Sequence, residues 1–145
     1  MLRGTERTPQ EDLKQAQGIL SWALRKHGPD ASFSIKAMID VANLLSSLGQ
    51  VVEEVELREQ IVAGLRNTLG ADSLSTVSAE MSLARCLFEL DRYEDGTRLL
   101  HHVIAIRNAE LGPDDPQTLR ATNLQSEAAY KLQQLEEFRE GLAEL

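Results

Sequence analysis

Cysteine is nearly absent from this chain, with Cys86 as its single example. One thiol can form neither an intramolecular disulfide nor a thiolate zinc cluster, a pattern that fits a reducing compartment. Cys86 lies between Ala84 and Leu87 in an apolar helical pattern, so it reads as a small core residue and not as a nucleophile. Long apolar runs are also missing, and nothing approaches the roughly 20 residues that cross a bilayer. Met1 to Gln10 is polar and has no stretch suited to a secretory signal, so the expected location is cytoplasmic. Cations are in deficit, with 15 Lys and Arg against 23 Asp and Glu, a net charge of -8. That field repels phosphate backbones, and no polybasic helix is present to dock on anionic lipid, so nucleic acid and membrane are not expected partners. Aromatic residues make up 4% of the chain, while 42% is apolar and 26% charged, enough to bury a core in one domain.

What the chain does contain is a repeat. Gly28, Gly70 and Gly112 stand 42 residues apart. The same period relates Asp30, Asp72 and Asp114; Ser34, Thr76 and Thr118; Ala37, Ala79 and Ala121; Leu48, Leu90 and Leu132; and the acidic Glu53, Asp95 and Glu137. The chain is therefore read as a single domain over 1–145: a half-repeat at 9–27, repeats at 28–69 and 70–111, and a truncated repeat at 112–145.

Each repeat is expected to form two helices, because apolar residues recur at spacings of three and four on both sides of a polar break. In the middle unit the first helix shows Val77, Met81, Ala84 and Leu87, and the second shows Leu99, Leu100, Val103 and Ile104. The breaks, Gly49-Gln50 and Asp91-Arg92, are long enough only for a tight turn, which makes the helices antiparallel. The glycines close the second helices, and the aspartates that follow can accept the free amides of the next helix. At the front, Thr8-Pro9-Gln10-Glu11 spells a capping box with proline at the first helical position. This predicts about seven helices: 9 to 27, 31 to 48, 51 to 69, 73 to 90, 93 to 111, 115 to 132 and 135 to 145. Stacked pairs of this kind line an inner surface with their first helices and an outer surface with their second.

The stretch Tyr93-Glu94-Asp95-Gly96, then Leu99-Leu100, then "VIAIRNAELGPDDPQTL" from Val103 to Leu119, closely resembles the 42-residue tetratricopeptide repeats of kinesin light chain and its bacterial relatives. The corresponding family pattern is "ALxIRExxLGPDHPDTL", and the resemblance extends over about residues 28 to 140. It implies an all-α fold, a right-handed superhelical α-solenoid of antiparallel helix pairs. Departures occur at Glu54 and Phe138, where the family prefers a small residue, at Gln125-Ser126 in place of Leu-Ala, and at Asp115 in place of histidine.

No catalytic set emerges, so the chain is not expected to be an enzyme or to hold a metal or cofactor. His101 and His102 are adjacent, point about 100° apart on a helix and cannot share a metal. Both are expected on the outer helix surface. His27 at a helix end and Trp22 in the first helix are expected to be structural, as is Tyr93 at its turn. Glu53-Glu54 and Glu136-Glu137 are expected on solvated outer faces. What the resemblance implies instead is a protein-protein interaction module that binds a peptide or partner segment in the groove of first helices. Carried over position by position, the groove residues are Lys36, Ile39, Asp40, Asn43 and Ser47; Ser78, Met81, Ser82, Arg85, Phe88 and Glu89; and Arg120, Asn123, Glu127, Tyr130 and Lys131. The inner face is near neutral or slightly positive within an acidic chain, which suits an acidic partner with apolar anchors. The alternative is a structural self-assembly module. Phe138, Leu142 and Leu145 would then leave apolar surface at the C-terminal edge for weak homo-oligomerisation.

Overall fold

The computed structural model describes residues 6–145. It contains six helices: α1 (Pro9–His27), α2 (Ser32–Ser47), α3 (Val51–Leu69), α4 (Leu74–Glu89), α5 (Tyr93–Leu111) and α6 (Pro116–Ala143). No strand occurs among the described residues, and no helix there is long and apolar enough to cross a membrane. The all-α class read from the repeat is thus observed, with one helix fewer than about seven.

The helices begin and end for local reasons. At α1 the Thr8 hydroxyl accepts the Glu11 amide at 3.1 Å, and the Glu11 carboxylate accepts the Thr8 amide at 3.4 Å, which completes the predicted capping box. Gly28, Gly70 and Gly112 have φ of 83°, 92° and 90° with ψ near 160–170°, a region reserved for residues without a Cβ. Each glycine amide bonds back to the carbonyl four residues earlier, on Leu24, Arg66 and Asn108. The cap of the next helix falls one residue later than the aspartates at 30, 72 and 114. Ser73 accepts the Ser75 amide at 3.2 Å, and Asp115 accepts the Gln117 amide at 2.9 Å. Asp30 instead accepts the Asn67 side-chain amide at 3.4 Å.

The turns inside helix pairs use a second device. Gly49 and Asp91, 42 residues apart, take φ of 72° and 60°. The Gln50 and Arg92 amides then reach the carbonyls of Leu45 and Leu87 at 2.9 and 2.8 Å, the six-to-one bond of a Schellman turn. One period further stands Gln133, and there the chain does not turn. Glutamine is a good helix former with no access to left-handed backbone at low cost, and its side chain bonds Glu137 one turn ahead at 3.3 Å. The two expected helices at 115 to 132 and 135 to 145 consequently run together as the 28 residues of α6.

The chain divides into two compact units, the first ending at Ala79 and the second beginning at Glu80, inside α4. In the first unit α1 packs on α2 and α2 on α3. Its core holds Leu13, Ile35, Met38, Val41, Ala42, Leu45, Leu57 and Ile61, with the α2 members at the three-and-four spacing that makes one helix face. In the second unit α5 packs on α6, and Met81, Leu83, Ala84, Cys86, Leu87, Leu100, Val103, Ala121 and Ala128 are buried. The periodic hydroxyls Ser34, Thr76 and Thr118 are fully buried as well. Ser34 donates to the Ala23 carbonyl at 3.2 Å and Thr76 to the Gly70 carbonyl at 2.7 Å, so in these two repeats the small polar residue ties the first helix to the preceding chain, whereas the Thr118 hydroxyl has no hydrogen-bond partner among the described residues.

Two charged residues differ from their expected solvated positions. Glu54 is 2% exposed and accepts the Arg58 Nε–H at 2.7 Å, because the face of α3 that carries it turns inward. His102 is half-buried, with Nδ1 2.9 Å from the Glu80 carboxylate, which is 1% exposed; His101 is exposed as expected. Such pairs contribute little net stability, yet removing one partner costs about 3–5 kcal/mol.

Two substitutions test this account. Leu87→Ala should lower unfolding free energy by about 2–5 kcal/mol in a urea titration, and a loss below about 0.5 kcal/mol would place Leu87 outside the core. Gln133→Gly should cost about 1 kcal/mol and speed amide exchange across residues 131–137, since it restores the option to break α6. Unchanged exchange there would show that something other than Gln133 keeps α6 straight.

Candidate partner-binding site

The best-formed concavity of the second unit is built around a contact that the turn creates. Phe88 stands in the last turn of α4, Asp91 reverses the chain at positive φ, and Tyr93 opens α5, so the two rings meet. They stack with centroids 5.7 Å apart and planes at 23°. One turn along α5, Gly96 leaves room for the Phe88 ring, which fills the space that a Cβ at this position would need. The Tyr93 hydroxyl donates to Asp91 at 3.0 Å. That bond favours the neutral phenol and raises its pKa above the ordinary value, with desolvation and the Asp91 charge adding to it.

Against these rings α6 contributes Leu124, Glu127, Ala128 and Lys131, and α4 contributes Arg85 and Glu89, enclosing a cavity of about 350 Å³. Its floor is apolar and its rim is balanced, with Arg85 and Lys131 facing Glu89 and Glu127. The balance shifts beside it. Arg107 on α5 is 6% exposed, its Nη1 donates to the Gln117 carbonyl at 2.9 Å, and its Nε has no hydrogen-bond partner among the described residues. Burial lowers the Arg107 pKa from its usual value, and the Arg120 and Arg85 guanidinium groups lower it further, against a smaller opposing effect of Asp115. Three guanidinium groups therefore share one neighbourhood in a chain of net charge -8.

The structure sorts the groove residues read from the sequence. Arg85, Phe88, Glu89, Glu127 and Lys131 line the cavity of the second unit. Arg120 and Asn123 are exposed on α6, and Tyr130 is 62% exposed; none of these lines that cavity. Met81 is 5% exposed and is a core side chain, because its face of α4 is the one that packs. Ser82 is half-buried and Ser78 exposed. In the first unit Lys36 and Ile39 line a separate, mostly apolar cavity of about 360 Å³ with Leu65 and Leu69 of α3. Asp40 and Ser47 are exposed, and Asn43 accepts the Arg58 guanidinium at 3.2 Å. Trp22 is 47% exposed and meets His27 and Phe33 edge-on at 5.6 and 5.8 Å, a small aromatic cluster at the end of α1.

Sequence reading did not select Tyr93, Leu124 or Arg107 for this site. The signal for Tyr93 was present, since it follows Phe88 by five residues across a tight three-residue turn that brings the two helix ends together. Leu124 and Arg107 carried no such signal.

The fold and cavity define an α-helical pair repeat with a partly charged, partly aromatic cleft. Residues 75–137 match the family model of the tetratricopeptide repeat. Two crystal structures of a kinesin light chain-like protein of Podosopora anserina with nearly identical TPR-like repeats, one of them a single-substitution variant, share the fold with a TM-score of 0.79. At 24% identity each covers 89% of this chain, which in turn spans 61% of the solved one. No curated protein matches the sequence. The kinesin light chain-like tetratricopeptide resemblance is thus shown, by the repeat model over the middle and end of the chain and by the fold over most of it. This fold is a general protein-protein interaction module and in general a non-enzymatic scaffold.

Gly96→Ala tests the architecture of the cleft. Alanine favours helix by about 1 kcal/mol over glycine. Here it should destabilise by about 1–3 kcal/mol, because the Phe88 ring must leave its place against α5. A urea titration reads the stability, and Tyr93 fluorescence reads the loss of the ring stack. An increase in stability with an unchanged Tyr93 signal would mean that the ring does not depend on the glycine.

Proposed function

We propose that the chain binds a segment of a partner protein, and that the cleft of the second unit seats it. The observation that carries this reading is the pairing of an apolar aromatic floor, Phe88 on Tyr93, with the concentration of guanidinium groups at Arg85, Arg107 and Arg120 in an otherwise acidic chain. The segment that fits carries an apolar anchor next to carboxylates. The anchor is desolvated against the rings, and the carboxylates relieve the mutual repulsion of the arginines. Long-range steering acts in the same sense, because the local positive field stands out from a negative surface. A tetratricopeptide fold offers clefts between helices for such segments, which supports the reading at the level of fold. The apolar cavity beside Lys36 and Ile39 supplies a second seat of different character in the first unit.

The test is Arg85→Glu combined with Arg120→Glu. Both side chains are exposed, so helicity and melting should stay nearly unchanged. Affinity for the natural partner, isolated by pull-down with the intact chain, should fall at least tenfold, about 1.4 kcal/mol. Calorimetry at low salt, where charge effects are largest, is the measurement. Equal affinity in the double variant would move the site away from this cleft.

A further inference from the structure

The straight course of α6 leaves one face of it without a neighbour, and the repeat shows what kind of face it is. Leu135, Phe138, Leu142 and Leu145 stand one period after Tyr93, Gly96, Leu100 and Val103. Gly96, Leu100 and Val103 form the buried face of α5. The end of α6 therefore carries the pattern of a packed second helix, but Leu135, Phe138 and Leu142 remain 41%, 64% and 53% exposed. Folding back as α5 does would not cover them. That arrangement needs Phe88 against the bare backbone of Gly96, and one period later the same positions hold Tyr130 and Phe138, two rings in the space of one.

We propose that this stripe is the contact of a homodimer, formed against the same stripe of a second copy. At about 100° per residue, Leu135, Phe138 and Leu142 lie within about 60° of one another. Glu136, Glu137, Glu140 and Glu144 each lie at least about 120° from the centre of the stripe. The margins carry Gln134, Arg139 and Gly141, without a carboxylate, and Lys131, a cleft residue, stands on the line of the stripe one turn before its first leucine. On a chain of net charge -8, this is a place where two copies meet apolar surface with their carboxylates turned outward. A second copy supplies a matching face by symmetry, and the isologous contact closes on itself without propagating. Since no tight turn tethers the copies, the helices choose the separation of about 8–10 Å that the rings require. The contact is a few side chains wide, which places it among weak interfaces. It uses residues outside the cleft and does not depend on the reading of that site.

The experiment is sedimentation equilibrium of the intact chain from about 10 to about 500 μM. A monomer–dimer equilibrium is expected, and it should strengthen as salt rises from about 20 to about 300 mM, because screening weakens the repulsion between like-charged copies. Phe138→Glu with Leu142→Glu, both on exposed positions, should weaken dimerisation at least tenfold with unchanged helicity. Arg85→Glu with Arg120→Glu should dimerise as the parent does. A strict monomer at about 500 μM and high salt overturns the proposal. So does a dimer that the stripe variant leaves intact. A dimer lost in both variants means an α6 end seated in the cleft of the other copy, and this too overturns the stripe-against-stripe contact.

Discussion

The structure depends on where the backbone can reach positive φ. Helices of this composition have no reason of their own to stop after sixteen or nineteen residues. They stop because Gly28, Gly49, Gly70, Asp91 and Gly112 admit a conformation that other side chains resist. Each reversal then satisfies the carbonyls that a helix end leaves open, so the stop is also a hydrogen-bonded cap. Packing comes second. Once the chain has turned, faces with three-and-four spacing have something to pack against, and Leu100 and Val103 become fully buried. Where the device is missing, at Gln133, the helix continues and comparable apolar residues stay in water.

The cleft follows from the same geometry. The short reversal at Asp91 brings Phe88 and Tyr93 face to face, and the absence of a side chain at Gly96 lets the first ring lie close to α5. The apolar floor is therefore a by-product of the turn, and the charged rim is added by α4 and α6. In the first unit the same position holds Glu54 where the second has Gly96, and there the chain buries a carboxylate on Arg58 instead of forming an aromatic floor. Two repeats of one ancestry of pattern thus offer different chemistry because one position differs.

Charge separates the surfaces further. Most carboxylates lie on exposed helix faces. The arginine group at 85, 107 and 120 is the local exception, and it is held in place partly by burial of Arg107 against the start of α6. Burial and the Gln117 bond hold the Arg107 guanidinium at the start of α6.

How much of this was legible beforehand depends on whether the property is local. Period, helix pairs, the capping box at Thr8, the burial of Cys86 and the need for glycine at 28, 70 and 112 all arise from residues a few positions apart, and the sequence determined them. It also contained the reason for the straight α6, since Gln133 replaces the turn residues at 49 and 91, although the periodic apolar pattern beyond it favoured a seventh helix. What only the tertiary structure decided is which side chains share a space. Met81 and Arg85 lie on one helix at helical spacing, yet one is core and the other rim. Glu54 and Glu53 are adjacent, yet only Glu54 is buried. Arg107 became part of the cleft's field through contacts with α6 that no spacing encodes. Burial and proximity depend on the rotation of each helix about its axis, which is settled by the neighbouring helix and not by the local chain.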